Sequence, residues 1–223
     1  MRLAKGRGGI FMSAVLGGMY SATVTTVVLA KKASAGRHPH VFSGSILAAS
    51  GLMYFRILVL VWLFNRPLAA RLAPAFLILS IIPLVAGWLW TRRPDGEGVE
   101  STETTAPHNP LELRAAVLFA AMFLLVLVVT QLSVHYLGRT GIYGLAALMG
   151  LTDVVPFVMG LTHSVGLTTP LPMALIGITI AASSNNLVKG AYAYFFARRT
   201  AGRWSFCFLA GLAVVGLLPL LWS

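Results

Sequence analysis

The 223 residues of this chain are 57% hydrophobic and only 10% charged, with a mean hydropathy of +0.83. Soluble domains carry about 25% charged residues, so the composition excludes a soluble domain. The net charge of +11 comes mostly from lysines and arginines at the ends of apolar segments, where such residues set membrane topology. No basic stripe alternates with aromatic residues, so we do not expect nucleic-acid binding.

Seven apolar segments are long enough to cross a hydrocarbon core of about 30 Å as helices. Strands of a membrane barrel alternate apolar and polar residues, whereas "AAVLFAAMFLLVLVV" (115–129) is continuously apolar. The sequence therefore predicts an all-α polytopic membrane protein. Its transmembrane helices are expected, in chain order, at 9–30, 41–64, 70–91, 115–137, 141–163, 170–197 and 204–222.

The first predicted helix is similar to the fifth. "GRGGIFMSAVLGG" (6–18) and "GRTGIYGLAALMG" (138–150) share seven of thirteen residues. The basic start of the chain resembles a signal peptide, but a cleaved leader has no reason to match an internal helix. The second and sixth helices are also similar, since "AASGLMYFR" (48–56) aligns with "AASSNNLVK" (181–189).

These similarities predict two repeats of four helices in one membrane domain, 1–223. An even number of crossings leaves both copies in the same orientation, so we expect parallel rather than inverted repeats. Repeat one covers about 6–91, a polar linker with five of the six acidic residues covers 92–113, and repeat two covers about 114–223. The first repeat is expected to lack its leading helix, whose counterpart is the helix at 115–137.

Lysines and arginines also predict the orientation of the seven helices. Nine fall on the side of the N-terminus and six on the other side. Because positive residues accumulate on the cytoplasmic side, we expect a cytoplasmic N-terminus.

Three ionisable residues, Arg56, Asp153 and Lys189, lie at membrane depth, where a charge costs at least about 2.5 kcal/mol. Arg56 and Lys189 are equivalent in the two repeats, and Asp153 is equivalent to Ser21. Pro156 is expected to interrupt the fifth helix, and polar residues beside an interrupted helix are typical of a transporter site. The candidate pathway residues are Ser21, Thr23, Thr25, Thr26, Arg56, Asp153, Ser184, Asn185, Asn186 and Lys189.

A structural role for these residues stays open. Serine and threonine pack helices together in bilayers, and asparagine bridges helices by hydrogen bonds. Lys189 and Asp153 are candidates for a buried ion pair, and because such pairs stabilise proteins poorly, their presence favours a pathway. Nucleotide-binding loops, zinc motifs and paired cysteines are absent from the sequence. We therefore expect no enzymatic activity, no cofactor and no metal.

Five segments carry a resemblance to a known family: "GGMYSATVTTVVLAKKA" (17–33), "SGLMYFRILVLV" (50–61), "NPLELR" (109–114), "GLTDV" (150–154) and "SNNLVK" (184–189). In this order they are similar to the C-terminal membrane domain of unknown function in bacterial MgtC/SapB family proteins. The resemblance implies a multi-pass protein of the bacterial inner membrane. The family usually has Asp-Val-Asp where this chain has Asp153-Val154-Val155, and the missing carboxylate argues against a divalent-cation site.

We expect transport or permeation of an ion or small polar solute through a pathway between the repeats. The alternative is a non-transporting membrane subunit that binds or regulates a partner such as an MgtC-type protein. A repeat without its leading helix would expose polar groups to the lipid bilayer, where they are costly. We therefore also expect a homo-oligomer or a partner membrane protein.

Overall fold

The computed structural model describes residues 7–35, 38–95, 124, 125, 128, 129, 132, 140–151, 153–197 and 199–218. Nearly all of these residues are helical, in α1 (Arg7–Ala35), α2 (Pro39–Phe64), α3 (Arg66–Thr91), α4 (Thr140–Met149), α5 (Val154–Ser164), α6 (Leu171–Phe196) and α7 (Arg199–Leu217). Five of them, α1, α2, α3, α6 and α7, are long and apolar enough to cross a membrane. The predicted all-helical membrane protein is confirmed to this extent. Most of the helix predicted at 115–137 lies outside the described residues.

Helices α2 and α3 form a tight antiparallel pair. Asn65 separates them, and its side chain caps α3 by accepting a hydrogen bond of 3.0 Å from the backbone N–H of Leu68. A Cβ atom on Gly44 would lie 2.5 Å from the carbonyl oxygen of Gly87. Glycines at such crossings let the two backbones approach closely, as in other membrane helix pairs.

Helix α1 is bent back on itself at Ser21, which has extended backbone angles (φ −152°, ψ 108°). A Cβ atom on Gly17 would lie 2.7 Å from the hydroxyl oxygen of Thr25. Residues eight apart in a straight helix are separated by about 12 Å. The two arms of α1, 7–20 and 22–35, therefore lie side by side as a helical hairpin, which we call hairpin 1.

The predicted fifth helix is also a hairpin, formed by α4 and α5 and called hairpin 2. Asp153, just before α5, has extended backbone angles (φ −87°, ψ 123°). A Cβ atom on Gly177 of α6 would contact Ile142 at 3.1 Å and Leu161 at 2.9 Å, although residues nineteen apart in a straight helix are about 28 Å apart. Both arms of hairpin 2 thus pack against one place on α6.

Neither of the apolar segments predicted at 9–30 and 141–163 is therefore one continuous helix. The expected interruption of the fifth helix is present, but Pro156 lies in the first turn of α5. The N–H groups of a first turn have no partner within their helix, so proline fits there. The break itself falls before Asp153.

The near end of the molecule is the end at which α2 begins. There His40 of α2 lies 5.7 Å from the ring of Trp90 at the end of α3 and contacts Asp95 through Nδ1. Trp90 in turn lies 5.2 Å from Trp204 near the start of α7. Both arms of hairpin 1 also reach this end, since Gly8 lines a groove with residues at the end of α3 and α1 finishes beside the start of α2.

Helix α6 runs in the opposite direction to α2. At the near end, Lys31 of α1 lies 5.3 Å over the ring of Phe196 at the end of α6. At the far end, where α2 ends, Phe64 lies 4.8 Å from His163 at the end of α5, and α6 begins shortly after that residue. Hairpin 1 therefore opens at the near end and hairpin 2 at the far end.

This arrangement differs from the parallel repeat that the sequence predicted. The similar helices α2 and α6 are antiparallel because each hairpin returns to the end from which it started. Helices α2 and α6 also form the centre of the molecule. In an apolar stretch of 18 residues, 56% of each of these helices is buried, against 33% of α3 and α7.

Candidate functional site between the hairpin tips

The tips of the two hairpins meet between α2 and α6. A cavity of about 10 Å³ at this place is lined by residues of both tips, including Ser21 and Asp153, and by Met53, Arg56 and Asn185. A volume of this size holds about one water molecule. The cavity between the tips is therefore small and partly lined by polar side chains.

Each tip residue caps the helical arm that follows it. The Ser21 Oγ accepts a hydrogen bond of 3.3 Å from the N–H of Val24, and the Asp153 Oδ1 accepts one of 3.0 Å from the N–H of Val155. Serine and aspartate are favoured N-cap residues. Ser21 and Asp153 are 132 positions apart, as are the similar stretches at 6–18 and 138–150. The N-termini of two helical arms therefore lie at the cavity.

The arms that end at the tips have their carbonyl oxygens bonded by side chains of α2 and α6. The Nη1 of Arg56 donates to the carbonyl oxygen of Tyr20 in hairpin 1. The Nδ2 of Asn185 donates at 3.0 Å to the carbonyl oxygen of Gly150 in hairpin 2. Final carbonyls of a helix have no partner within it, so these bonds satisfy groups that the chain reversal frees.

Each hairpin rests on the following long helix through a glycine near its tip. A Cβ atom on Gly18 would lie 2.7 Å from the Cα of Ala49 in α2, and one on Gly150 would lie 2.6 Å from the carbonyl carbon of Ser184 in α6. Ser184 also donates a hydrogen bond of 2.6 Å to the carbonyl oxygen of Ala147. Side chains larger than hydrogen would push each tip away from its helix.

Polar contacts at the hairpin tips connect the first half of the chain, α1–α3, with the second half, α4–α7. The Nη2 of Arg56 lies 3.5 Å from the Oδ2 of Asp153. The Nδ2 of Asn185 lies 3.5 Å from the Oγ1 of Thr23. The sequence had suggested Lys189 as the ionic partner of Asp153, but the cation within 4 Å of this carboxylate among the described residues is Arg56.

Lys189 is fully buried between α6 and α2. Its ammonium Nζ lies 3.3 Å from the thioether sulfur of Met53. Met53 lines the cavity, so the ammonium is one side chain away from it.

The remaining predicted site residues lie around the cavity rather than in its lining. Thr26 is buried and donates to the carbonyl oxygen of Ala22 at 2.8 Å, and Thr25 packs against Gly17. The Nδ2 of Asn186 donates at 2.7 Å to the hydroxyl of Tyr54, on another side of α6. Sequence reasoning did not identify Met53 or the two glycines at the tips. The equivalence of Gly18 and Gly150 in the repeat could have indicated the glycines.

The fold and the site define an all-helical membrane protein in which two opposed helical hairpins meet at a polar centre. Residues 1–197 match the family described as "Domain of unknown function (DUF4010)", and the chain belongs to this family. A protein of Aquifex aeolicus (strain VF5), described as "Uncharacterized protein", is 24% identical over 199 residues, which cover 86% of this chain and 84% of that protein. No solved structure is significantly similar.

Proposed function

We propose that the protein transports an ion or small polar solute through a pathway between its two halves. The observation that supports this function is the meeting of two hairpin tips, each with a helix N-terminus, at one polar cavity. Transporters place substrate sites at the ends of discontinuous helices near the bilayer midplane. Irregular backbone at this depth is tolerated only where protein buries it or where it lines a cavity.

In this proposal the single membrane domain consists of two inverted repeats. Hairpin 1 packs on α2 and α2 on α3, while hairpin 2 packs on α6 and α6 on α7. The antiparallel directions of α2 and α6 support the inversion. The two hairpins enter the membrane and return, whereas α2, α3, α6 and α7 cross it. The helix predicted at 115–137 would be a further crossing. Three crossings, α2, α3 and this helix, then separate the start of α2 from the start of α6, and an odd number is what inversion requires.

We propose that the near end faces the cytoplasm of a bacterial cell and that the protein lies in the inner membrane. This orientation puts the N-terminus inside, and positive residues accumulate there. The described near-end residues are Arg7, Lys31, Lys32, Arg92, Arg93, Arg199 and Arg203, against Arg66 and Arg71 at the far end. The origin of the Aquifex aeolicus relative supports a bacterial membrane.

The proposal includes no enzymatic reaction. Enzymes that form covalent intermediates bring a nucleophile and a base into hydrogen-bond contact. Here the Ser21 hydroxyl and the Asp153 carboxylate each bond to a helix N–H group instead.

The alternative is a non-transporting subunit that regulates a partner such as an MgtC-type protein. Its support is the resemblance of the five quoted segments to MgtC/SapB proteins. We further propose that a second copy or a partner membrane protein covers the tip of hairpin 1, because the side chain of Tyr20 is 87% exposed next to the polar site. Cross-linking in native membranes, followed by identification of the captured chains, tests this contact.

Solute flux into liposomes that contain the full chain tests the transport function. The panel consists of sodium, potassium, chloride, nitrate, formate, glycine and urea. Arg56→Met and Asn185→Leu should each abolish the flux while circular dichroism shows unchanged helicity. Lys32→Met, at an exposed position of the near end, is the matched control and should retain it. A folded protein that passes none of these solutes would refute the proposal in favour of a regulatory subunit.

A further inference from the structure

We infer that the substrate is a small anion with one negative charge, bound between the two hairpin tips. This inference rests on the proposed transport function and names its substrate class. The formal charges of Arg56, Asp153 and Lys189 at and behind the cavity add up to +1. A monovalent anion would neutralise this charge.

The helix ends at the cavity favour an anion. A helix N-terminus carries a partial positive charge and a C-terminus a partial negative charge. The two arms that begin at Ser21 and Asp153 present N-termini to the cavity. The carbonyl oxygens of Tyr20 and Gly150 lie at the C-termini of the two arms that end at the tips. They already accept hydrogen bonds from Arg56 and Asn185. Each tip therefore places a helix N-terminus, capped at one N–H group by Ser21 or Asp153, beside the Arg56 guanidinium.

The buried ammonium group of Lys189 is a second, independent observation in favour of an anion. Its ammonium carries three donors, and buried charges are normally paired. Within the described residues its hydrogen-bond partner is the sulfur of Met53, which is a weak acceptor. The Asp153 carboxylate is already used, because Oδ1 caps α5 and Oδ2 faces Arg56. Movement of Met53 would open the ammonium to a ligand in the cavity.

The same contacts argue against a metal cation as substrate. Hard cations need six or more oxygen ligands. The carbonyl oxygens of Tyr20 and Gly150 accept hydrogen bonds, and the Asp153 carboxylate caps α5 and faces a guanidinium. A bound sodium or magnesium ion would also add to an existing positive charge. The present volume of about 10 Å³ holds about one water molecule, so the cavity must widen for any of these anions, and it must widen least for small ones such as chloride, nitrate or formate.

Anion binding is measured on the purified full chain in detergent by thermal unfolding. Sodium nitrate, formate or chloride replaces sodium gluconate at constant ionic strength. We expect at least one of the three to raise Tm, increasingly with its concentration, because a ligand of the folded state stabilises it. Replacement of sodium by potassium should leave Tm unchanged. No shift with any of the three anions would overturn the inference.

Lys189→Met should raise the apparent Kd of the effective anion at least tenfold, since a charge-assisted hydrogen bond is about twice as strong as a neutral one. Lys32→Met is the matched control and should leave this Kd unchanged. Arg56→Lys provides a second variant if Lys189→Met fails to fold, and should also weaken binding because lysine lacks the fork of donors. An unchanged Kd in the folded site variant would place the anion elsewhere and refute the site.

The flux assay separates failure of this inference from failure of the proposed function. Stabilisation by an anion that depends on Lys189, without flux of any solute, would retain the anion site and refute transport. Flux of cations or neutral solutes that is indifferent to nitrate, formate and chloride would retain transport and refute the anion as substrate.

Discussion

Removal of the ion pair between Arg56 and Asp153 tests how the two halves of the chain are joined. Two unit charges 3.5 Å apart attract each other by about 5 kcal/mol at an effective dielectric constant of about 20. The side chains are 25% and 41% exposed, so screening reduces this attraction. Exposed pairs contribute about 0–1 kcal/mol, and breaking a buried pair costs about 3–5 kcal/mol. We expect a coupling energy of about 2 kcal/mol, between these limits.

A double-mutant cycle measures this coupling. Asp153→Asn removes the charge but keeps an oxygen that can cap α5, and Arg56→Met removes the cation. The free energy of unfolding of both single variants and of the double variant is obtained by denaturant titration in mixed micelles, with circular dichroism as the signal. A second cycle with Asp153→Asn and Lys189→Met serves as the comparison.

The comparison decides which cation pairs with Asp153. Because Lys189 has no contact within 4 Å of this carboxylate, its coupling with Asp153→Asn should be clearly smaller than that of Arg56. Equal coupling in the two cycles, or stronger coupling with Lys189, would refute the pairing described above. It would restore the pair suggested by the sequence.

Three further predictions concern the hairpins. Gly150→Ala should destabilise the fold by about 1–3 kcal/mol, as overpacking does. Gly144→Ala is the control, because a Cβ atom there meets open space, and it should be neutral or stabilising. Equal effects of the two variants in thermal unfolding would contradict the close contact of Gly150 with α6. Asp153→Ala should cost about 1 kcal/mol more than Asp153→Asn, because alanine cannot cap α5; equal unfolding free energies would mean that the cap contributes nothing. Reporter fusions after residues 36 and 198 should lie on the same side of the membrane, and opposite sides would restore the count of seven crossings.

The sequence located the apolar segments that form the described helices, but it did not show where α1 reverses or in which direction each helix runs. Hydropathy reports whether a segment partitions into a membrane, and two short apolar arms have the same composition as one long span. The segment 9–30 therefore looked like a crossing, although its arms of about 14 residues reach only about 21 Å each. No Pro or Gly adjoins Ser21 to mark the reversal. The signals that were present are a capping residue followed by β-branched residues, which lower helix propensity slightly.

For a related reason, the sequence predicted only part of the candidate site. A charge at membrane depth stands out in a sequence because of its cost, and Arg56, Asp153 and Lys189 were identified in this way. Which of these residues meet depends on the packing of α2 against hairpin 2. The directions of the elements decide that packing, so the pairing of Arg56 with Asp153 could not be predicted.

The reversal of α1 at a single residue restricts how this region can change in evolution. The second arm buries one face, formed by Ala22, Thr26, Ala30 and Ala33. One residue inserted after Ser21 would rotate that arm by about 100° about its axis and turn this face away from the protein. Substitutions at the tip alter its chemistry while leaving the arm in place. Members of the family should therefore differ in the residue types at this tip far more readily than in its length.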